Sequence, residues 1–191
     1  KVDEHSKKIG AVNFVSKTDG GWIGKNTDWT GFSKTIHVEQ GVLNKKTAVV
    51  IGYGGASKAV IYALQKENFG EIKVFNRTEE KIKHLKSEGG VTPINLEYLK
   101  DHLSDASIVI NTTPTNPLKS LLIKKKIKNS LGFDIVYTPQ ETVFLSNFVK
   151  NKRLYGISML AYQAAPCFEE WFGVKPIVDQ ELLNLLSTHT R

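Results

Sequence analysis

A glycine-rich turn between an apolar run and a helix-like stretch most constrains what this chain can fold into. The stretch VVIGYGGASKAVIYAL covers residues 49–64, and its glycines are Gly52, Gly54 and Gly55. Glycine permits a sharp turn and lets backbone N–H groups approach a pyrophosphate, whose charge the following helix N-terminus favours. These glycines have the pattern G-x-G-G, followed by Ala56, and do not form the full G-x-G-x-x-G motif. The turn alone therefore leaves a dinucleotide cradle and an ordinary strand-to-helix turn equally open.

The remainder of the chain alternates between strand-like and helix-like segments. Strands are predicted over residues 47–52, 71–77, 91–95, 106–113, 132–137 and 153–157. Helices are predicted over residues 55–68, 78–89, 95–103, 141–152, 159–172 and 177–188. Thr78 would cap the second of these helices, and Gly89 or Gly90 would end it. Because strands that alternate with crossover helices pair in parallel, we predict an α/β fold with a Rossmann-type, doubly wound parallel sheet.

The first forty residues follow a different pattern. AVNFV (11–15) and WIGKN (22–26) flank an Asp-Gly turn signal, which predicts a β-hairpin. Residues 27–40 predict a helix that begins near Thr27 or Asp28 and ends at Gly41. This part of the chain therefore predicts a separate unit from the α/β part that follows it.

Composition narrows the classes of function. The chain has 191 residues with a formal net charge of +7, which suits either a nucleic-acid binder or an enzyme that acts on anionic ligands. The densest basic run, KKKIK (124–128), contains no aromatic residue, so a solvated surface is its favoured interpretation and no nucleic-acid partner is predicted. No apolar run approaches the roughly 18 residues of a membrane span, and no signal-peptide pattern opens the chain, so no membrane association is expected.

Two further classes of site are disfavoured. The single cysteine, Cys167, excludes an internal disulfide and fits a reducing compartment. The five histidines lack metal-ligand spacing, so we predict no metal site.

The residues at the end of the second predicted sheet strand indicate which dinucleotide the glycine turn would bind. An NAD site would favour Asp or Glu there, to bond the ribose hydroxyls. The sequence has Asn76, Arg77 and Thr78 instead, with Lys81 a few residues further on. The guanidinium of Arg77 can form two hydrogen bonds with a 2′-phosphate, and Lys81 adds positive charge. These residues predict NADP rather than NAD, although Arg77 could also be a solvated residue at a strand end.

Seven short stretches form an ordered series along the chain. They are GAVN (10–13), NTDWTGF (26–32), IGYGGASKAV (51–60), NRT (76–78), INTTP (110–114), FDIVYTPQET (133–142) and GISMLAYQAAPCFEEW (156–171). Together and in this order they resemble the motifs of the shikimate dehydrogenase family. The resemblance implies an NADP-dependent oxidoreductase that acts on a CH–OH group. Its reaction would be the reversible conversion of 3-dehydroshikimate to shikimate, in cytoplasmic aromatic amino-acid and chorismate biosynthesis.

The resemblance also implies roles for residues of the substrate site. It makes Asp28 the catalytic carboxylate, which would pair with a lysine around the reacting hydroxyl; a helix N-cap is the alternative role for this Asp. Asn13 and Gln163 would hold the substrate, and Asn26 would bind it or orient this segment. Tyr137 would lie near the substrate or the nicotinamide, or would be a core aromatic at a strand end.

For the cofactor, the resemblance extends the set that the glycine turn suggests. The expected cofactor-binding residues are Gly52, Gly54, Gly55, Ala56, Asn76, Arg77, Thr78, Lys81, Thr112, Thr113 and Met159. Thr112 and Thr113 follow a strand, where ligands bind in open α/β sheets, but loop hydrogen bonding would also explain them. Met159 lies four residues before Gln163, on the same helix face, although a methionine on a helix more often belongs to the core.

The resemblance divides the chain into three parts. Residues 1–40 would be a remnant of the substrate domain, residues 41–157 the NADP domain, and residues 158–191 helices that pack back on the substrate domain. The family's catalytic lysine and its carboxylate-binding serines precede the GAVN motif, and only nine residues precede Gly10 here. We therefore expect a C-terminal fragment, beginning at Lys1 rather than Met, that is nearly inactive alone. A homodimer is a candidate assembly.

Two other functions remain open at this stage. One is a dehydrogenase of the same fold with a different substrate preference, such as quinate. The other is a non-catalytic NADP-binding module, which binding without activity would indicate.

Overall fold

The structure, a computed structural model, describes residues 1–40, 46–87, 89–121 and 126–188. Its strands are β1 (Phe14–Thr18), β2 (Gly21–Lys25), β3 (Thr47–Ile51), β4 (Glu71–Asn76), β5 (Val91–Asn95), β6 (Ile108–Asn111), β7 (Leu131–Asp134) and β8 (Arg153–Tyr155). Its α-helices are α1 (Glu4–Ile9), α2 (Asp28–Gln40), α3 (Gly55–Lys66), α4 (Gly156–Phe172) and α5 (Gln180–Thr188). The predicted helix end at Gly41, the predicted domain boundary there, and Lys124 and Lys125 of the basic run lie outside the described residues.

Six parallel strands form the central sheet, in the order β5-β4-β3-β6-β7-β8. β3 lies inside the sheet and pairs with β4 on one side and β6 on the other. The chain therefore winds outward in one direction through β5 and in the other through β8, which confirms the doubly wound sheet. The strand order reverses between β3 and β6, and ligands of open α/β sheets bind at the carboxyl ends of the strands at this point.

The apolar run of β3 explains why this strand is central. Val49, Val50 and Ile51 are at most 1% exposed. Val50 packs into one core cluster and Val49 and Ile51 into another, because successive side chains of a strand point to opposite faces. A strand covered on both faces is continuously apolar, as expected for a parallel sheet.

Three predicted helices are 3₁₀ turns instead of α-helices. The 3₁₀ segments are Glu79–Lys81, Lys83–Ser87, Leu96–His102, Lys119–Leu121, Leu145–Asn147 and Lys150–Lys152. The prediction of helices over 78–89, 95–103 and 141–152 was wrong in this respect, and the Thr78 side chain makes no capping bond. Around residue 145, polar side chains compete for the backbone: Asn147 donates to the carbonyls of Val143 and Phe144, and Thr142 accepts from the N–H of Leu145.

The N-terminal residues form a helix and a hairpin. The hairpin joins β1 to β2 through Asp19 and Gly20, as predicted, with Thr18 opposite Gly21. The sequence analysis did not predict α1. Asp3 caps this helix by accepting a hydrogen bond from the N–H of Ser6 at 2.7 Å, and Gly10 ends it with φ +69°.

Helices α2 and α4 pack closely against each other, and α4 also contacts the hairpin. A Cβ on Gly31 of α2 would lie 2.7 Å from the Cβ of Gln163 and 2.8 Å from the carbonyl oxygen of Met159, so only glycine allows this approach. The hairpin is joined to α4 at Glu170, which pairs with Lys25 at 2.7 Å and accepts from Ser16 at 2.9 Å. This packing brings the segment before α2 against α4. The division into residues 1–40, 41–157 and 158–191 stays a prediction.

Candidate active site

The glycine turn after β3 touches the loop after β6. Gly52 has φ +100°, a conformation that side chains rarely allow. An added Cβ would also lie 2.8 Å from both Thr112 Oγ1 and Thr113 Cγ2. Glycine is therefore required here by both the backbone conformation and the close contact, and the turn and the loop form one edge of the sheet.

The start of α3 leaves room in front of its first turn. Gly54 and Gly55 are exposed, and a Cβ on Gly54 would meet nothing within 4 Å. The Ser57 hydroxyl accepts from the N–H of Gly54 and donates to its carbonyl at 2.9 Å, which fixes the turn. The first N–H groups of a helix have no intrahelical acceptor, and together with the helix dipole they favour an anion. Ala56 lies in the same turn. Because this turn has open space in front of it and N–H groups without acceptors, its geometry fits a phosphate group.

The residues after β4 present positive charge to solvent. The Asn76 side chain donates to the carbonyl of Thr78 at 2.8 Å and so shapes the turn between them. Arg77, Thr78 and Lys81 are exposed. Among the described residues, no carboxylate forms an ion pair with Arg77 or Lys81. Both cations are therefore available to a phosphate.

The loop after β6 is fixed by its own hydroxyl groups. Thr112 Oγ1 donates to the carbonyl of Ile51 at 2.7 Å, and Thr113 Oγ1 donates to Asn111 Oδ1 at 2.7 Å. These bonds are the loop hydrogen bonds considered above, and the cofactor contacts of both threonines stay predictions. Together with residues 135–138, this loop lines a cleft of about 450 Å³ at the carboxyl ends of β6 and β7.

Tyr137 and Met159 differ in their surroundings. Tyr137 is 42% exposed and lines the cleft, so it is not a core aromatic. Met159 is buried and belongs to the main core cluster, which supports its core role. Any contact of Met159 with a cofactor stays a prediction.

A second cluster forms where the segment before α2 meets α4. Asn13 Nδ2 donates to Asp28 Oδ1 at 2.7 Å and to Gln163 Oε1 at 3.2 Å, although Asn13 and Gln163 are 150 residues apart. Asn13 Oδ1 accepts from the N–H of Thr27 at 2.8 Å, which fixes the orientation of the amide. Three of the residues predicted for the substrate site, Asn13, Asp28 and Gln163, are thus brought together.

Asn26 is hydrogen-bonded to the backbone on both sides of this cluster, at Asp28 and at Ala11. Its Oδ1 accepts from the N–H of Asp28 at 3.0 Å, and its Nδ2 donates to the carbonyl of Ala11 at 3.2 Å. The side chain is 4% exposed. This geometry gives Asn26 the orienting role, and direct contact with a substrate stays a prediction.

Burial raises the pKa of Asp28, and the hydrogen bond from Asn13 opposes this effect. A carboxyl group with a raised pKa releases and takes up a proton closer to neutral pH than an exposed one. Within the described residues, Asp28 has no cationic partner, and its Oδ2 accepts no hydrogen bond. One carboxylate oxygen is therefore free to accept a hydrogen bond from a ligand.

The sequence analysis missed two residues of this cluster. Thr27 Oγ1 donates to Gln163 Oε1 at 3.2 Å and lies 3.4 Å from Cys167 Sγ. Cys167 is buried, and burial raises the pKa of its thiol. The position of Thr27 between Asn26 and Asp28 was a signal in the sequence, whereas the contact with Cys167 depends on helix packing.

Asp134 was also missed. It ends β7, is 1% exposed, and accepts hydrogen bonds from Asn111, Val136 and Thr142. Burial raises its pKa, and these three hydrogen bonds oppose the effect. An Asp directly after a buried strand at the ligand edge of a parallel sheet was the available signal.

Within the described residues, no helix is long and apolar enough to cross a membrane. The same residues include no group of three or more His, Cys, Asp or Glu side chains that could hold a metal ion.

A parallel sheet with a glycine turn and an open helix N-terminus at its switch point defines a Rossmann-type nucleotide-binding protein. Comparison with known proteins narrows this class, because residues 35–135 match the family described as shikimate / quinate 5-dehydrogenase. The chain is 38% identical to a shikimate dehydrogenase (NADP(+)) of Methanococcus maripaludis over 92% of its own length and 67% of that protein. A shikimate dehydrogenase (NADP(+)) of Methanococcus vannielii is 36% identical over 98% of this chain and 72% of that protein. The chain belongs to the shikimate / quinate 5-dehydrogenase family.

A solved structure agrees with this assignment. Shikimate 5-dehydrogenase of Thermus thermophilus, in complex with NADP(H) and shikimate, superposes with a TM-score of 0.79 and 30% sequence identity. The match covers 100% of this chain and 72% of that one. The fold predicted from the sequence is thus the fold of this family.

Proposed function

We propose that this chain forms the NADP-binding part, and one side of the substrate site, of a shikimate dehydrogenase. Its reaction is the reversible reduction of 3-dehydroshikimate to shikimate. The observation that carries the proposal is the hydrogen-bonded cluster of Asn13, Asp28 and Gln163, assembled from distant segments. The relatives that support it bear the name shikimate dehydrogenase (NADP(+)).

The residues after β3 and β4 fit NADP. Gly54 leaves open space at the N-terminus of α3, where a pyrophosphate would accept hydrogen bonds from backbone N–H groups. Arg77 and Lys81 are exposed cations that would hold the 2′-phosphate. When bound, NADP would supply or accept the hydride at the substrate carbon that carries the reacting oxygen.

The cluster around Asp28 would orient the substrate. Gln163 Oε1 already accepts from Asn13 and Thr27, whereas its Nε2 makes no hydrogen bond to another described residue. Gln163 would therefore act as a donor, and the free oxygen of Asp28 as an acceptor, for neighbouring hydroxyl groups of the ring. A donor and an acceptor at fixed positions distinguish one face of a polyol from the other.

The proton required at the reacting oxygen needs another group. Asp28 is a poor donor when ionised, and family members use a lysine for this step. No lysine forms an ion pair with Asp28 among the described residues. Positioned acid–base groups contribute about 10²–10⁴-fold to the reaction rate. We therefore expect these 191 residues alone to turn over more slowly, by roughly that factor, than a protein that also carries the lysine.

The test is shikimate-dependent reduction of NADP⁺, measured with this chain and with a version extended at its N-terminus by the family's lysine-bearing segment. Turnover by the extended version alone supports both the function and the role of the lysine. Equal turnover by the two proteins would show that another residue supplies the proton. Absence of turnover by both, with NADP bound, would instead identify a non-catalytic binding module.

The same assay tests the second candidate substrate. The family description includes quinate, and the contacts proposed for Asp28 and Gln163 involve only ring hydroxyls. A larger kcat/KM with quinate than with shikimate would assign the chain to the alternative preference. Sedimentation velocity would test the predicted homodimer.

A further inference from the structure

Three buried polar side chains join the ends of two neighbouring strands. Asn111 ends β6, Asp134 ends β7, and Thr142 lies beyond the loop after β7. Asn111 and Asp134 are each 1% exposed, and Thr142 is 8% exposed. Asn111 Nδ2 donates to Asp134 Oδ1 at 3.1 Å, and Thr142 Oγ1 donates to Asp134 Oδ2 at 2.7 Å. Both carboxylate oxygens are therefore engaged.

The same side chains hold the two loops that follow these strands. Asn111 Oδ1 accepts from the N–H of Thr113 at 3.0 Å, and its Nδ2 donates to the carbonyl of Thr115 at 3.0 Å. Asp134 Oδ1 accepts from the N–H of Val136 at 3.1 Å. One carboxylate thus connects the loop at 112–115 to the loop at 135–138, and these loops line the cleft of about 450 Å³.

The loops have little freedom on their other sides. The first loop lies against Gly52, where an added Cβ would come within 2.8 Å of Thr112 Oγ1. The second lies against Gly156 at the start of α4, where a Cβ would come within 2.5 Å of the carbonyl oxygen of Ile135. The glycine turn and α4 therefore hold the two loops on their other sides, and Asp134 holds the loops to each other.

We propose that Asp134 is a positioning residue that sets the spacing of these two loops for the nicotinamide half of NADP. The inference rests on the proposed function and deepens it. Three donors point at this carboxylate, and only an acceptor with two oxygens satisfies them. In Asp134→Asn the negative charge is lost and one oxygen becomes an NH₂ group, so the bonds from Asn111 and Val136 become weaker neutral ones and the bond with Thr142 must reverse its direction, while the side-chain volume is kept.

The experiment measures two dissociation constants for each variant of the chain. One ligand is NADPH, followed by its fluorescence, and the other is 2′-phospho-ADP-ribose, which lacks only the nicotinamide. We expect Asp134→Asn to weaken NADPH binding about tenfold, because hydrogen bonds to a charged acceptor are roughly twice as strong as those to a neutral one. Binding of 2′-phospho-ADP-ribose should change less than about twofold, because Arg77 and the glycine turn are unaltered.

Ser130 provides the matched control. It is fully buried just before β7, at the opposite end from Asp134, and its hydroxyl donates to the carbonyl of Leu103 at 3.0 Å. Ser130→Ala should lower stability without changing the ratio of the two dissociation constants. If Ser130→Ala changes that ratio as Asp134→Asn does, the effect is general destabilisation and the inference is overturned.

Thr142 provides a second route should Asp134→Asn fail to fold. Thr142→Val removes the donor to Asp134 and should weaken the binding of NADPH more than that of 2′-phospho-ADP-ribose. Thr142→Ser keeps the hydroxyl and should bind NADPH as the unaltered chain does. Unchanged NADPH binding in both Asp134→Asn and Thr142→Val would overturn this inference and would leave the proposed NADP site intact. If the unaltered chain binds neither ligand, the proposed NADP site itself is wrong, and the inference falls with it.

Discussion

Replacing Gly31 by alanine tests the packing that assembles the substrate site. Gly31 is buried in α2 against α4, and the added Cβ would lie 2.7 Å from Gln163 Cβ, 2.8 Å from Met159 O and 2.9 Å from Gln163 N. All three distances are shorter than real Cβ contacts allow, and two of the three atoms belong to the backbone. They cannot move aside by a side-chain rotation, so one helix must shift.

Two effects of this substitution oppose each other. Alanine is favoured over glycine in a helix interior by about 1 kcal/mol. Overpacking in a well-packed core costs about 1–3 kcal/mol, and a contact with rigid backbone lies at the upper end of that range. We therefore expect Gly31→Ala to lower the free energy of unfolding by about 1–2 kcal/mol, or the melting temperature by roughly 2–8 °C.

Urea denaturation followed by tryptophan fluorescence measures this change. Lys34→Ala, on the exposed side of the same helix, is the control and should stay within about 0.5 kcal/mol of the unaltered chain. A Gly31→Ala variant that is as stable as the unaltered chain, or more stable, would refute the reasoning. Helix propensity would then dominate, and α2 and α4 would not be in the close contact described here.

Two further predictions concern charge. Because burial raises the pKa of Asp28 above its ordinary value of 3.8, its ionised form destabilises the fold at neutral pH. Asp28→Asn keeps an oxygen for Asn13 and should be more stable than the unaltered chain at pH 7 in urea titrations. This difference should shrink as the pH falls towards 4. Arg77→Gln should weaken NADPH relative to NADH by about 10–100-fold in fluorescence titrations, and Lys119→Gln should change neither constant.

The fold was predictable because its signals are local. The apolar run of β3, the glycines after it and the alternating pattern that follows are read from neighbouring residues. A strand buried on both faces must be continuously apolar, and a positive φ at Gly52 requires glycine, so these constraints are written directly in the sequence. Parallel pairing then fixes which ends of the strands meet.

The parts that were missed depend on contacts between distant segments. The segment around residue 145 has an apolar pattern compatible with a helix, yet Thr142 is engaged by Asp134, and Asn147 bonds to nearby carbonyls. Thr27 gains its role only because Gln163 lies next to it in the folded chain. Sequence reasoning placed Asn13, Asp28 and Gln163 in one site through resemblance to a family, and no local pattern would have joined them.

The position of α4 links the two halves of the candidate site. At its N-terminus, Gly156 allows the helix to approach the carbonyl oxygens of Asp134 and Ile135 at the edge of the sheet. Two turns later, Gln163 meets Gly31 and the Asn13–Asp28 pair. Because both contacts involve backbone without an intervening side chain, α4 has little freedom to slide or rotate between them. The distance from the proposed nicotinamide cleft to the substrate residues is therefore fixed by two glycines, neither of which belongs to the predicted site.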